Sequence, residues 1–462
     1  MLYLGLIIQV ANERQKLKAI NQKVIMIMWL PLAASWLLMS TEGPIINAVI
    51  ARLANPLISL AALGGIVHPV SLLIEAPIIM LLSASTALGK DWASYLKIRN
   101  YMLGIGGVLT LLHILVSYTP LYDMVVVRIM GVPEQLIEPG RIGMMIMVPW
   151  TFFIGLRRFN QGLMIRNGRS DAVAKCTVVR LGTIISVLAV GFMIGTIPGV
   201  IVGATAMALG VTLEGAYAAW LTRPILKIIQ KAPPVEPLTN KAFMAFYIPL
   251  VMMSLMNFLG SPIGSAMISR MPNPVESLAV WAVLGNLVFI LRSTGVSYNE
   301  VVIALLDERG SYPHLKAFSR KLMTGIFIVS FIFTVTPISR FWFNNVAALK
   351  PDLAQMAVIG MWILMVVPMM SVLQSLYQGT LVFSRRTTGV SEAVAAYLLS
   401  MFAVLVMGVI IQKVPGVYVA GAAFAVANFA QTGWLWFRSR KFLDSIRKRD
   451  LEPAQGEHPP GG

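Results

Sequence analysis

The chain has 462 residues, of which 57% are hydrophobic and only 12% charged, with a mean hydropathy of +0.75. Soluble domains carry about 25% charged residues, so a water-soluble fold is excluded. The net charge of +17 does not point to nucleic acid, because the basic residues sit in short connections between apolar stretches and not on one folded face.

Residues 1–23 are read as an N-terminal interfacial and cytoplasmic segment: Met1 to Val10 are apolar but too short to span, and no small-residue cleavage site follows. A helix needs about 20 apolar residues to cross the hydrocarbon core. Twelve such stretches follow, at 24–53, 59–89, 99–130, 139–167, 172–199, 200–223, 241–271, 277–305, 314–344, 351–386, 389–414 and 415–440. The longer ones imply tilt or helical extensions beyond the bilayer. Residues 441–462 form a cytoplasmic tail expected to be disordered, rich in Pro, Gly and Glu from Asp450 onward.

Orientation follows from the basic residues, which are retained on the cytoplasmic side. Alternate connections carry 29 Lys and Arg on one side and 7 on the other, with Arg292 inside a span. Both termini are therefore expected in the cytoplasm, the membrane being the plasma or inner membrane.

The chain also repeats itself. Sliding it by 218 residues lays Pro31, Pro44, Ile45, Arg52, Asn55, Pro56 and Ser59 on identical residues between Pro249 and Ser277. Offset by 217, Gln161-Gly162 falls on Gln378-Gly379, and Pro198-Gly199-Val200 on Pro415-Gly416-Val417. Six spans is an even number, so two parallel six-helix repeats are predicted, related by an axis along the membrane normal. The N-lobe is set at 24–223, a cytoplasmic linker at 224–240 and the C-lobe at 241–440. Two such bundles suit alternating access, with the site at their interface.

Ionisable groups within a span cost at least ~2.5 kcal/mol at the bilayer centre and usually face a cavity or a partner. Glu42, Glu75, Glu214, Arg292 and Glu300 stand out, and with Asn47 and Arg157 they form the candidate substrate- or ion-binding set. Glu42 precedes Gly43-Pro44, expected to break the helix and free carbonyls for a proton or Na⁺ site. Glu75 aligns with Ser293 beside Arg292, so a Glu75–Arg292 pair between the halves is one reading and two independent functional groups the other. Glu214 aligns with Gln431, which suggests polar lining. Arg157 and Arg158 cap a helix end near lipid headgroups or form a positive mouth for anions. His68, His113, Cys176 and the methionines are read as packing. No CxxC, Cys/His cluster, nucleophile–base set or nucleotide loop is visible, so no cofactor, metal or enzymatic activity is expected.

Twelve spans in two parallel repeats, each opened by a Pro-interrupted first helix, resemble the multidrug/oligosaccharidyl-lipid/polysaccharide (MOP) exporter superfamily, best known for the MATE transporters. Ser261-Pro262-Ile263 to Ser269-Arg270, Tyr298-Asn299-Glu300 with Val301 to Ala304, and Gln378-Gly379 to Arg385-Arg386-Thr387 resemble the progressive ankylosis (ANK) family within it. The resemblance implies a MATE-like, all-α integral membrane exporter, monomeric and without cofactor, that rocks two lobes about a central cleft. It implies a small anionic cargo such as pyrophosphate, nucleotide or citrate on the ANK side, or cationic drugs exchanged for H⁺ or Na⁺ on the MATE side. A lipid-linked precursor flippase is the other function it allows. It assigns Glu300 to an acidic position of the ANK pattern and Glu42 to a first-helix acid. The partners expected are thus membrane lipid, a small-molecule substrate and H⁺ or Na⁺.

Overall fold

The computed structural model describes residues 21–233, 237–384, 386 and 388–451. The N-terminal segment up to residue 20, Arg385 and the tail beyond 451 lie outside them. Among the described residues the chain is helical apart from short connections, with one isolated bridge between Ala54 and Pro198.

Among the described residues twelve long helical segments follow one another: α1 (Gln22–Ile50), α2 (Pro56–Leu88), α3 (Trp92–Tyr118), α4 (134–166), α5 (Ser170–Ile194), α6 (Gly199–Lys231), α7 (Asn240–Ile268), α8 (Pro274–Leu305), α9 (Ser311–Val335), α10 (Pro351–Phe383), α11 (Thr388–Ile411) and α12 (Gly416–Leu451). Ten are long and apolar enough to cross a membrane, and α4, bent by 42° between Ile146 and Val148, makes eleven. The twelfth has the length, but Asn428, Gln431 and Thr432 interrupt its apolar run. Outward-facing apolar side chains such as Met193, Leu399 and Ile410, all more than 70% exposed, are what a multi-pass membrane protein presents to lipid.

Two boundaries differ from the sequence reading. Helix α6 continues through Pro224 to Lys231, so the first half of the expected linker is helical. Helix α12 runs to Leu451, so 441–451 is ordered helix and not disordered tail. The reason is burial: Leu443 and Ile446 are buried, the latter against Leu306 and Leu315, and Arg449 donates to the carbonyls of Leu306, Asp307 and Glu308.

The duplication is visible in the backbone. Asn55 and Asn273 both adopt left-handed conformations, at φ 53° and 52°, and each precedes the proline that starts a helix. Asparagine tolerates this region, which explains its recurrence at both places. Gly199 N donates to Ala54 O at 3.3 Å and Gly416 N to Pro272 O at 3.1 Å, the same contact in each repeat. Short π-helical segments, Asp123–Ile129 and Trp342–Val346, follow α3 and α9 alike.

The repeats hold each other reciprocally. Arg52 donates to Val346 O at 2.9 Å and to Asn345 O, while Arg270 donates to Met130 O at 2.6 Å and Ile129 O at 2.5 Å. Both clasps lie on the face that carries few basic residues. Next to them α1 and α2 pack tightly on α8: a methyl on Gly43 would overlap the Asn286 amide, and one on Gly64 the Ala282 side chain.

The first helix of each repeat crosses to the other. The Gln22–Ser40 half of α1 packs on α8 and α9, where Val24, Ile25, Met28 and Leu32 join the core formed by Tyr298, Val302 and Phe318. Helix α7 packs on α2, and its Phe243 stacks on Tyr101 of α3 at 4.0 Å between ring centres.

Candidate functional site

A chain of charges ties four helices of the first repeat together. Glu214 of α6, 1% exposed, accepts from Arg157 of α4 at 2.6 Å and from Gln161 of α4 at 3.2 Å. Arg180 of α5 lies 3.7 Å from Glu214 and 3.0 Å from Glu42 of α1. Arg157 and Gln161 are four residues apart and therefore share one face of α4. Gly210 and Gly215 flank Glu214 by four residues and by one, letting α5 and α4 approach: a methyl there would press on Ile184 and on the Phe153 backbone and ring respectively. Burying these charges is tolerable only because each has a partner.

Glu75 of α2 is buried beside this network and accepts a hydrogen bond from the Trp150 indole of α4. Arg158 lies within electrostatic reach of Arg157, Arg180, Glu75 and Glu214, yet forms no ion pair or hydrogen bond among the described residues.

The second repeat fills the matching positions with uncharged side chains. Gln374 stands where Arg157 stands, Gln431 where Glu214 stands and Tyr397 where Arg180 stands. The Gln374 amide nitrogen reaches Asn428 Oδ1 at 3.1 Å, Thr432 Oγ1 at 3.2 Å and Gln431 Oε1 at 3.3 Å. Arg292 of α8 donates to Gln374 Oε1 at 3.3 Å and lies 5.3 Å from the centre of the Phe424 ring. It has no carboxylate partner among the described residues, and its Nε is buried without an acceptor. Glu300, near the C-terminal end of α8, accepts from Trp36 of α1 at 3.4 Å, and its Oε2 is buried without a partner among the described residues.

Several expectations are corrected. Glu75 and Arg292 do not pair: the carboxylate is engaged by Trp150 within the first repeat, and the guanidinium turns to α10 and α12 of the second. The break in α1 falls at Thr41, upstream of Gly43-Pro44, because Pro44 has no N–H to offer the Ser40 carbonyl and fits the first turn of the next helical half. Glu42 consequently opens that half, and Arg180 engages it in place of freed carbonyls. Glu214 is not a lining residue but the buried centre of the ion network, and Arg157, 5% exposed, is enclosed among the helices and not open to lipid headgroups. Asn47 donates to Ala282 O at 3.2 Å and so joins the repeats where they pack tightly.

Sequence reasoning missed Arg180, which Arg169 and Lys175 just before it made look like part of a charged connection. The available signal was the repeat: ionic residues at 157 and 214 both align with glutamines, which marks a paired substitution. Among the described residues no group of three or more His, Cys, Asp or Glu side chains could hold a metal. His113 is a packing residue with satisfied nitrogens, 2.7 Å from Thr151 Oγ1 and 3.1 Å from Met144 O, and Cys176 is free and buried. An apolar cavity of about 600 Å³ lies between α1, α8 and α9, lined by Trp29, Leu37, Leu291 and Phe318, with Gln22 and Lys321 also on its wall.

At the level of sequence, no family model and no curated protein matches the chain. Solved structures do. An inward-facing MATE-family multidrug resistance transporter of the MOP superfamily aligns over 90% of this chain and 98% of its own, with a TM-score of 0.68 and 13% identity. The lipid II flippase MurJ, in an inward closed conformation, aligns over 92% and 91%, at 0.69 and 15%. A MOP superfamily transporter from Pyrococcus furiosus, whose description notes a reversed polarity of the binding pocket, aligns over 92% and 97%, at 0.62 and 13%. Likenesses of this extent establish the architecture: the chain has the all-α, two-repeat membrane fold of the MATE and MurJ transporters.

Proposed function

We propose that the protein is a secondary-active exporter working by alternating access between two lobes, 24–223 and 241–440, and that its cargo is a small organic or phosphate-containing anion. The observation that carries this reading is the setting of Arg292. Arg157 and Arg180 are paired with Glu214 and Glu42, and the unpaired Arg158 still lies within electrostatic reach of Glu75 and Glu214, whereas Arg292 meets only an amide and a ring. An unmatched guanidinium at membrane depth costs at least ~2.5 kcal/mol, which an anionic cargo offsets. The resemblance to ANK proteins supports the same class of cargo.

Coupling is assigned to Glu42. It shares Arg180 with Glu214, so uptake of H⁺ or Na⁺ at Glu42 releases Arg180 to Glu214 and loosens α1 from α5. Glu300, with one oxygen unpartnered among the described residues, is the second candidate. The basic face is taken as cytoplasmic. The clasps of Arg52 and Arg270 then close the outer side, in keeping with the likeness to an inward-facing MATE transporter.

A flippase for a lipid-linked precursor is the second reading, favoured by the apolar cavity between α1, α8 and α9 and by the likeness to MurJ. The deciding experiment compares metabolites in the medium of cells expressing the wild type and Arg292→Gln at equal abundance. An anion that accumulates outside only with the wild type supports export. Identical media, with a lipid-linked precursor redistributed between leaflets, would replace export by flipping.

A further inference from the structure

On the basic face, away from the charge network, α9, α10 and α12 enclose a cleft of about 240 Å³. Lys316 and Arg320 reach it from α9, and Arg440 and Arg447 from α12; Asp444 is the one acid on its wall. None of the four cations forms an ion pair or side-chain hydrogen bond among the described residues; Arg440 rests over the Phe437 ring at 4.4 Å. The cleft lies at the N-terminal turns of α9, the positive end of a 25-residue helix dipole. Tyr312 and Tyr377 add two hydroxyl groups.

What distinguishes this cleft from ordinary basic helix ends is what leads into it. At 3.6 residues per turn, Phe429, Trp436, Arg440 and Arg447 fall on one stripe of α12. Phe429 and Trp436 are both 50% exposed, so an apolar, outward-facing track descends directly into the arginines. Helix α9 repeats the pattern: Phe327 and Phe331, which stack at 6.0 Å, lie above Lys316 and Arg320 on the same side. Trp436, on the wall of the cleft, stands where a half-exposed tryptophan marks the membrane–water boundary.

We infer that this cleft binds the phosphate headgroup of an anionic phospholipid from the surrounding bilayer, whose acyl chains lie along the aromatic tracks of α9 and α12. A basic pocket between membrane helices on the cytoplasmic side is suited to such a headgroup. The tracks favour a lipid over a free phosphate compound, which would use the cations and leave the aromatic stripes idle. The site does not depend on the transport reading.

The test uses the full-length protein, purified in detergent and stripped of lipid, with binding of phosphatidylglycerol read by native mass spectrometry. Lys316→Gln with Arg320→Gln and Arg447→Gln removes three cleft charges; Arg223→Gln with Lys227→Gln and Lys231→Gln removes three exposed charges from the end of α6. All six positions are exposed, so both variants should fold. The expected result is at least a ten-fold loss of phosphatidylglycerol binding in the cleft variant only, with phosphatidylcholine bound weakly by all three proteins. Equal loss in both variants would reduce the effect to general surface charge and overturn the site. Displacement of the lipid by glycerol phosphate at a similar concentration would overturn it in favour of a free-anion site.

Discussion

Trp29 and Tyr247 stand at the same place in the two repeats, and each donates its one polar side-chain hydrogen to a backbone carbonyl of the opposite repeat, Thr294 O at 3.0 Å and Pro77 O at 2.6 Å. Trp29 packs edge-on against Phe318, while Tyr247 stacks on Phe243, which in turn stacks on Tyr101, the residue matching Phe318. The crossing of the first helices is thus fastened twice by the same device. Tyr247→Phe keeps the ring and strands the Pro77 carbonyl, and should cost about 1–3 kcal/mol in denaturant unfolding of the purified protein. Trp29→Phe should cost a similar amount, and the two should add within about 0.5 kcal/mol because they share no partner. Strong coupling between them would mean that the two crossings yield as one unit.

Arg157→Met leaves Glu214 buried with Gln161 and a distant Arg180, and should destabilise by about 3–5 kcal/mol, seen as lost abundance and early unfolding. Adding Glu214→Met removes the stranded carboxylate, and most of that stability should return. If the single variant unfolds like the wild type, the pair is not a structural weld.

Arg292 and Glu75 have separate partners, so a double-mutant cycle with glutamine at each should give a coupling energy below about 0.5 kcal/mol in stability. Arg292→Gln alone should keep normal abundance and lose export. A coupling above 1 kcal/mol would restore the direct pair that the geometry lacks.

Arg52 and Arg270 close the sparsely basic face. Replacing both by alanine removes five inter-repeat bonds to main-chain carbonyls, those to Val346, Asn345, Met130, Ile129 and Arg128. A cysteine at Asn286, packed against Gly43, should then become several-fold more reactive toward an impermeant thiol reagent added outside. Unchanged labelling would show that the glycine contacts hold that face shut without the arginines.

The helices and the duplication were legible because they follow from local properties, apolar length and repeated residues such as Asn55-Pro56 and Asn273-Pro274. The end of α12 was misjudged because Leu443 and Ile446 among charges read as a tail until a neighbouring surface is known. The charge network was half legible: Glu42, Arg157 and Glu214 were conspicuous, but which base meets which acid depends on how helices far apart in sequence are rotated. Arg180 illustrates this, since a buried guanidinium and a loop guanidinium are the same letter. Glu75 and Arg292 erred the other way, because shared depth in the membrane does not place two side chains on facing surfaces.

The amide of Gln374 has two hydrogens and four acceptors between 3.1 and 3.4 Å, the fourth being the Asn428 carbonyl. Several pairings of similar geometry are therefore open to the interior of the second repeat, whereas in the first Arg157 and Arg180 are held by the charges of Glu214 and Glu42. The second repeat retains a residual configurational entropy that the first has given up. On the transport reading proposed above, exchanging one amide contact for another would let that side adapt to cargoes of different outline, and its selectivity by shape should be loose.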